Sequence, residues 1–342
     1  MALGDSITAG LFAQPSKLEE ESQILVNERN QKPFQPRSSK HPNFKDGEHS
    51  SPFLGGFEEY RGRSYAMGGD KDAITIPQLM QHYRTDPIKG TSHNHHPPPI
   101  LPAPPRTHVG VEFCLAIGDH VARNDGLNAA VSGAKAVDIP NQVKSPFELP
   151  CLPRHFPLLR TYAYIALSRS DYLLPSLKEF DVDDSEWKFL TLSIGANDVC
   201  DYCLVGNASR LGPGSPEAFV SSIETSIELV RQNIPRTIVN VVGLFTVSEI
   251  YNLTMKAPAC SPLSLPPIFP RLPLECSCAW APGPLGDATR RKMDALGEQY
   301  AHGLQQMVKR IRENVEREAI GGAVDFGIIW YDDQISVLES VV

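Results

Sequence analysis

The second half of the chain alternates between two hydrophobic periods, and this alternation constrains the fold more than any other feature. Phe189-Leu190-Thr191-Leu192-Ser193-Ile194 reads as a buried strand. Ser215-Pro216 then supplies an N-cap and a first-turn proline, Phe219, Ile223, Ile227 and Val230 follow at helical spacing, and Pro235 ends the run. Thr237 to Val242 is dense in β-branched residues and reads as a second buried strand. From Asp287 a long helix carries Met293, Leu296, Tyr300, Leu304, Met307, Ile311 and Val315 on one stripe, a core face rather than a cofactor box. Ala323 to Tyr331 reads as a last strand. Strands joined by helices form a parallel sheet with helices on both faces. The expected architecture is therefore a three-layer α/β/α fold of flavodoxin-like type with a parallel central sheet. Ligands of such sheets bind beyond the carboxyl ends of the strands, so chemistry is to be sought in the residues that follow each strand.

Three segments of that kind carry suitable residues. Gly4-Asp5-Ser6-Ile7-Thr8 follows a short apolar run, Met1-Ala2-Leu3, and precedes a helix-like stretch from Ala9 to Gln14. A serine at such a strand-to-helix turn exposes its hydroxyl where a helix N-terminus favours developing negative charge; the competing reading is an ordinary helix N-cap. Leu127 to Ala134 ends an apolar stretch in Ser132-Gly133. The strand at Phe189 runs straight into Gly195-Ala196-Asn197-Asp198. Acyl transfer to a serine needs donors aimed at the oxyanion of the tetrahedral intermediate, and a glycine N–H and an asparagine amide at strand ends can both serve. Taken singly, Gly133 reads as a turn glycine and Asn197 as a loop asparagine; in this order, the three blocks are far more specific.

Together they resemble the GDSL, or SGNH, hydrolase superfamily, and the text between them is similar to its phospholipase B-like branch, fungal members especially. The resemblance rests on Tyr60 to Asp70 (YRGRSYAMGGD), Ala73 to Pro77, Asn128 to Pro140 (NAAVSGAKAVDIP), Ile194 to Cys203 (IGANDVCDYC), Val239 to Asn252, and Cys276-Ser277-Cys278. It implies hydrolysis of acyl esters of glycerophospholipids or related lipids through an acyl-serine intermediate. By resemblance Ser6 is the nucleophile, and Gly133 N–H and the Asn197 side chain complete an oxyanion hole with Ser6 N–H. No cofactor and no metal are implied. The partner is a lipid ester, with peripheral contact to membrane lipid.

The family's last block, an Asp-x-x-His that supplies the base, has no counterpart. Three residues beyond Asp332 stands Ile335, beyond Asp333 stands Ser336, and the last histidine is His302, inside the long helix. A serine without a base is a poor nucleophile at neutral pH. Both ends of the chain read as cut, since Met1 lies directly before the first block and no signal peptide precedes it. The alternative is a non-catalytic relative that binds lipid or glycan. A phosphate- or nucleotide-binding protein is a third class, but no Gly-rich phosphate loop follows a strand.

The seven cysteines are Cys114, Cys151, Cys200, Cys203, Cys260, Cys276 and Cys278. Cys200-Asp201-Tyr202-Cys203 can be read as a redox or zinc half-site, whereas the resemblance favours disulfides, hence an oxidising compartment and a secreted or extracellular-facing parent. At least one disulfide is expected among Cys200, Cys203, Cys260, Cys276 and Cys278. Asn207-Ala208-Ser209 and Asn252-Leu253-Thr254 are glycosylation sequons. The formal net charge of −8 argues against nucleic acid as a partner, and no run reaches the roughly 18 apolar residues of a membrane span. The expected organisation is a single domain over 1–342 with insertions at 15–59, 90–108 and 146–181. The histidines His93, His95 and His96 sit beside a proline-rich run and read as loop residues rather than metal ligands.

Overall fold

The computed structural model describes residues 1–5, 59–71, 73–93, 95–96, 125–143, 172–206, 211–256, 276–319 and 324–331. Ser6, the stretch from Ala9 to Gln14 and the residues from Asp332 onward lie outside these. In chain order the elements are β1 (Ala2–Gly4), β2 (Glu59–Tyr60), α1 (Ile76–Gln81), β3 (His95–His96), α2 (Ile139–Val143), α3 (Leu173–Glu179), β4 (Lys188–Ser193), α4 (Ala196–Cys200), α5 (Tyr202–Val205), α6 (Pro216–Asn233), β5 (Thr237–Val242), α7 (Val247–Lys256), α8 (Gly283–Ala319) and β6 (Phe326–Tyr331). Single 3₁₀ turns at Arg61–Arg63, Ala136–Asp138, Gly212–Gly214 and Ser277–Trp280 connect them.

Four strands form one parallel sheet in the order β1-β4-β5-β6, with helices on both sides. The register is continuous: Gly4 lies beside Ser193, Ser193 beside Val242, and Val242 beside Tyr331. All four strands therefore end at one edge. β2 and β3 make a separate antiparallel pair.

Local sequence explains the elements that frame the sheet. α6 starts where Ser215 Oγ accepts the N–H of Ala218 and Pro216 occupies the first turn, where its missing N–H costs nothing. The helix buries Phe219, Ile223, Ser226, Ile227 and Val230, one stripe at helical spacing. β5 alternates strictly, with Thr237, Val239 and Val241 buried and Ile238, Asn240 and Val242 partly exposed. α8 buries Met293, Leu296, Tyr300, Leu304, Met307 and Val308, while Ile311 and Val315 pack at the margin of the core. Full burial of each such side chain contributes about 1.5–3 kcal/mol. α6 packs between α2 and α8. Phe219 stacks on Tyr300 with ring centroids 4.1 Å apart, and the Tyr300 hydroxyl donates to Gly214 O at 2.7 Å.

α8 begins four residues before Asp287, at Gly283, so it takes in the end of the proline- and cysteine-rich segment. The 3₁₀ turn at Ser277–Trp280 is tied to α4 and α5 by two disulfides, Cys200–Cys276 and Cys203–Cys278, with Cα separations of 4.7 and 5.1 Å. The redox or zinc reading of the Cys200–Cys203 pair therefore gives way to the disulfide reading. Cys260 lies outside the described residues, as does Asn207, while Asn252 is exposed on α7. Among the described residues, no helix is long and apolar enough to cross a membrane.

Candidate active site

The carboxyl edge of β1 has a parallel neighbour on each side. β4 pairs with it on one side. On the other, Ala2 N–H donates to Leu127 O at 2.9 Å, Ala129 N–H to Ala2 O at 3.0 Å, and Val131 N–H to Gly4 O at 3.1 Å. The segment around Asn128 is thus a short fifth track of the sheet, bridged in parallel to Ala2. Gln142 of α2 clamps the end of β1: its Oε1 accepts Gly4 N–H at 2.9 Å and its Nε2 donates to Gly4 O at 2.8 Å. Three chain segments leave the sheet side by side at this edge. The turn with Ser132-Gly133 follows the Asn128 track, the loop with Asn197 follows β4, and between them Gly4 leads into buried Asp5. Ser6, the next residue, is outside the described set.

The two outer loops touch. The Asn197 side-chain amide donates to Ala134 O at 2.9 Å. The Asp198 carboxylate accepts Ala136 N–H, at 3.3 and 3.1 Å to its two oxygens. Lys135 Nζ reaches Asp201 at 2.7 and 2.6 Å. An amide nitrogen carries two donors, so Asn197 keeps a second N–H after binding Ala134. Both loops turn on glycines for a physical reason. Gly133 has φ +83° and is exposed at the tip of its turn, and Gly195 has φ +128°, both regions that disfavour any residue with a Cβ. At Gly195 a Cβ would also lie 2.5 Å from the Leu244 side chain.

Beneath the Gly133 turn lies a buried ionic group. Arg61 is fully buried. Its Nε donates to Glu59 at 2.8 Å, Nη1 to Asn128 O at 3.0 Å and Nη2 to Ala130 O at 2.8 Å, with Asp125 3.6 Å away. Glu59 also accepts the hydroxyl of Ser132. A guanidinium out of water is tolerable only with its donors satisfied and its charge opposed, and here it also fixes the carbonyls of the Asn128 track. In the sequence, Tyr60-Arg61-Gly62 contributes to the family resemblance, but its role is not legible there. Apart from the Glu59–Arg61 pair itself, the hydrogen bonds of this group span 67 to 73 residues, and no local pattern reports such pairing. The glycines of that text serve close packing: a Cβ on Gly62 would meet the Asp70 carboxyl at 2.2 Å, and one on Gly68 would meet Gly62 O at 2.4 Å.

Electrostatics at the second loop are unusual. Burial pushes the Asp198 carboxyl up from 3.8 to about 7, against the pull of Ala136 N–H and Lys135, with Asp138 and Asp201 adding to the rise. Of the histidines with described side chains, His82, His93 and His302 are all exposed; His302 sits on α8 opposite α6, beside Pro216 and Val220. His108, His120 and His155 lie outside the described residues.

A parallel sheet with helices on both sides, whose carboxyl edge brings a glycine turn and an asparagine amide together, defines an α/β protein with a candidate site at that edge. The chain belongs to the GDSL-like lipase/acylhydrolase family, whose sequence model matches residues 1–336. Among curated proteins it is similar to "Phospholipase B1, membrane-associated" of Mus musculus and of Rattus norvegicus, each 24% identical over 263 residues, 76% of this chain and 14% of the relative. The protein of the same name from Homo sapiens is 28% identical over 197 residues, 57% of this chain and 10% of the relative. The chain thus spans about one seventh or less of the length of these relatives. No solved structure gives a significant match.

Proposed function

We propose that this chain is a serine ester hydrolase of the phospholipase B or lysophospholipase type, acting on acyl esters of glycerophospholipids within a single domain. The observation that carries the reading is the contact between the Gly133 turn and Asn197 at the carboxyl edge, on either side of the strand that leads into Ser6. In this mechanism Ser6 Oγ attacks the ester carbonyl, forming the Oγ–C bond. The oxyanion is held by Ser6 N–H, Gly133 N–H and the free N–H of Asn197. Collapse breaks the C–O bond to the glycerol oxygen, which takes up the proton lost by Ser6, and water then releases the fatty acid. No cofactor or metal enters these steps. The two disulfides support a secreted or extracellular-facing setting, and the substrate places the protein in peripheral contact with lipid.

Proton transfer is the weak step. No Asp-x-x-His follows β6 in the sequence, and loss of a triad member leaves an acceleration of only about 10³–10⁴ over water, from the oxyanion hole and binding. A polypeptide limited to these 342 residues, with no other base recruited, is expected to turn over esters slowly. The second reading is a non-catalytic relative that binds lipid or glycan. Chemical rescue separates the two. With p-nitrophenyl butyrate, added imidazole supplies a mobile base and raises the rate in proportion to its concentration, beyond its effect in buffer, and Ser6→Ala abolishes that gain. A rate indifferent to Ser6→Ala supports the non-catalytic reading. Fast turnover that needs Ser6 but no imidazole shows that another base serves.

A further inference from the structure

A cavity of about 190 Å³ lies at the carboxyl ends of β4 and β5, between α4, α7 and α8. Ala196, the chain neighbour of Asn197, forms part of its wall, and so does the Cys200–Cys276 disulfide. Leu244 and Phe245, which follow β5, Ile250 of α7 and Met293 of α8 make most of the remaining lining apolar. Of the polar residues in the wall, which include Thr246, the two carboxylates are engaged or lie at the margin. Asp294 accepts Ser248 N–H at 3.2 Å and the Ser248 hydroxyl, and Glu298 is exposed.

Gly297 is the telling residue. It lies within the 37-residue helix α8 and faces this cavity. Glycine inside a helix is unfavourable relative to alanine, so its presence usually marks a close approach. Two other glycines of α8 fit that rule: a Cβ on Gly286 would lie 1.7 Å from Ala281 O, and one on Gly303 would lie 2.6 Å from Val220. At Gly297 a Cβ would meet nothing within 4 Å. No packing excludes a side chain there; what a larger residue would remove is the cavity.

Resting on the hydrolase reading above, we propose that this cavity is the acyl-chain site, which receives the carbons of the ester next to the carbonyl held by Asn197. Its size fixes the length it can hold. A dry cavity of about 150 Å³ admits a six-carbon ring, which scales to about seven or eight carbons here; a longer chain runs out along the open side. The face of Tyr251 is not open to a quaternary ammonium head group. The ring of Tyr251 is covered by the Arg290 guanidinium, 3.5 Å from its centroid. That cation is held by Ala279 O at 2.5 Å, Ala281 O at 3.0 Å and the Asp287 carboxylate, and it would repel a second one.

The test is binding, so it does not depend on turnover. Titration of the full chain with octan-1-ol by calorimetry should show saturable binding that is much weaker for butan-1-ol. Gly297→Leu fills the cavity and should weaken octan-1-ol at least tenfold. Gly297→Ala should retain binding and serves as the fold control, with Ala301→Leu, one turn further along the same wall, as a second filling variant if the first does not fold. Absence of binding by the parent chain, unchanged binding in a folded filling variant, or loss of phosphocholine rather than octan-1-ol binding on filling would each overturn the assignment. Failure of the hydrolase reading shows elsewhere, as an ester-hydrolysis rate indifferent to Ser6→Ala.

Discussion

At the residue scale, the carboxyl of Asp198 links the segment that carries Asn197 to pH. Its folded-state pKa of about 7 stands above the ordinary value of 3.8, so the folded chain holds this proton more tightly than the unfolded chain. Between these two values the folded state binds more protons, and stability falls as pH rises. The contribution is complete below about pH 4 and is lost as pH passes through about 7, with a magnitude on the order of a few kcal/mol. Asp198→Asn has no proton to lose, and its amide oxygen can still accept Ala136 N–H. Urea midpoints measured from pH 4 to pH 8 should therefore fall less in Asp198→Asn than in the parent chain; parallel curves would show that Asp198 is not the titrating group. Residue-scale features of this kind were only partly legible in the sequence. Gly133 and Asn197 stood out because each ends a strand in a short motif. Asp198 and the Glu59–Arg61 group did not, because their state is set by burial and by partners far along the chain.

At the scale of elements, legibility followed length and one-sided burial. α6, β5 and α8 each bury one stripe or one face, and their periods of 3.6 and 2 could be read directly. α3, α4 and α5 have seven, five and four residues, too few for a period to emerge, and α3 carries Pro175 in its first turn. α3 is nonetheless a core element: Leu173 and Leu177 are buried and the Tyr172 hydroxyl donates to Gly126 O at 2.7 Å. Short elements need other restraints, and for α4 and α5 these are the disulfides to the Ser277–Trp280 turn. They close loops with sequence separations of 76 and 75 residues. Loss of Cys203–Cys278 through paired serine substitutions should lower stability by about 2–4 kcal/mol in chemical denaturation. Loss of the second bridge should cost less, since the first already closes nearly the same loop. Equal stability of the oxidised and fully reduced chain would remove this role.

At the scale of the whole molecule, the parallel sheet does one thing for chemistry: it delivers separate parts of the sequence to one edge. The Asn128 track, β1 and β4 are neighbours there although Gly4 and Ser193 are far apart in sequence. The strand-and-helix alternation foretold this edge, because a parallel sheet aligns all its carboxyl ends. It could not foretell how the loops beyond that edge meet, which depends on Asn197 reaching Ala134, Lys135 reaching Asp201 and Gln142 clamping Gly4. In the proposed mechanism this edge stabilises an oxyanion formed at Ser6. Covalent capture tests it without requiring a full catalytic cycle. Prolonged incubation with a fluorophosphonate, followed by peptide mass spectrometry, should give one adduct on Ser6. Asn197→Ala, by removing a donor worth about 10²–10³ in rate, should slow labelling by a comparable factor while leaving the fold intact. Absence of an adduct at Ser6, or labelling of Ser6 at the same rate in Asn197→Ala, would contradict the account.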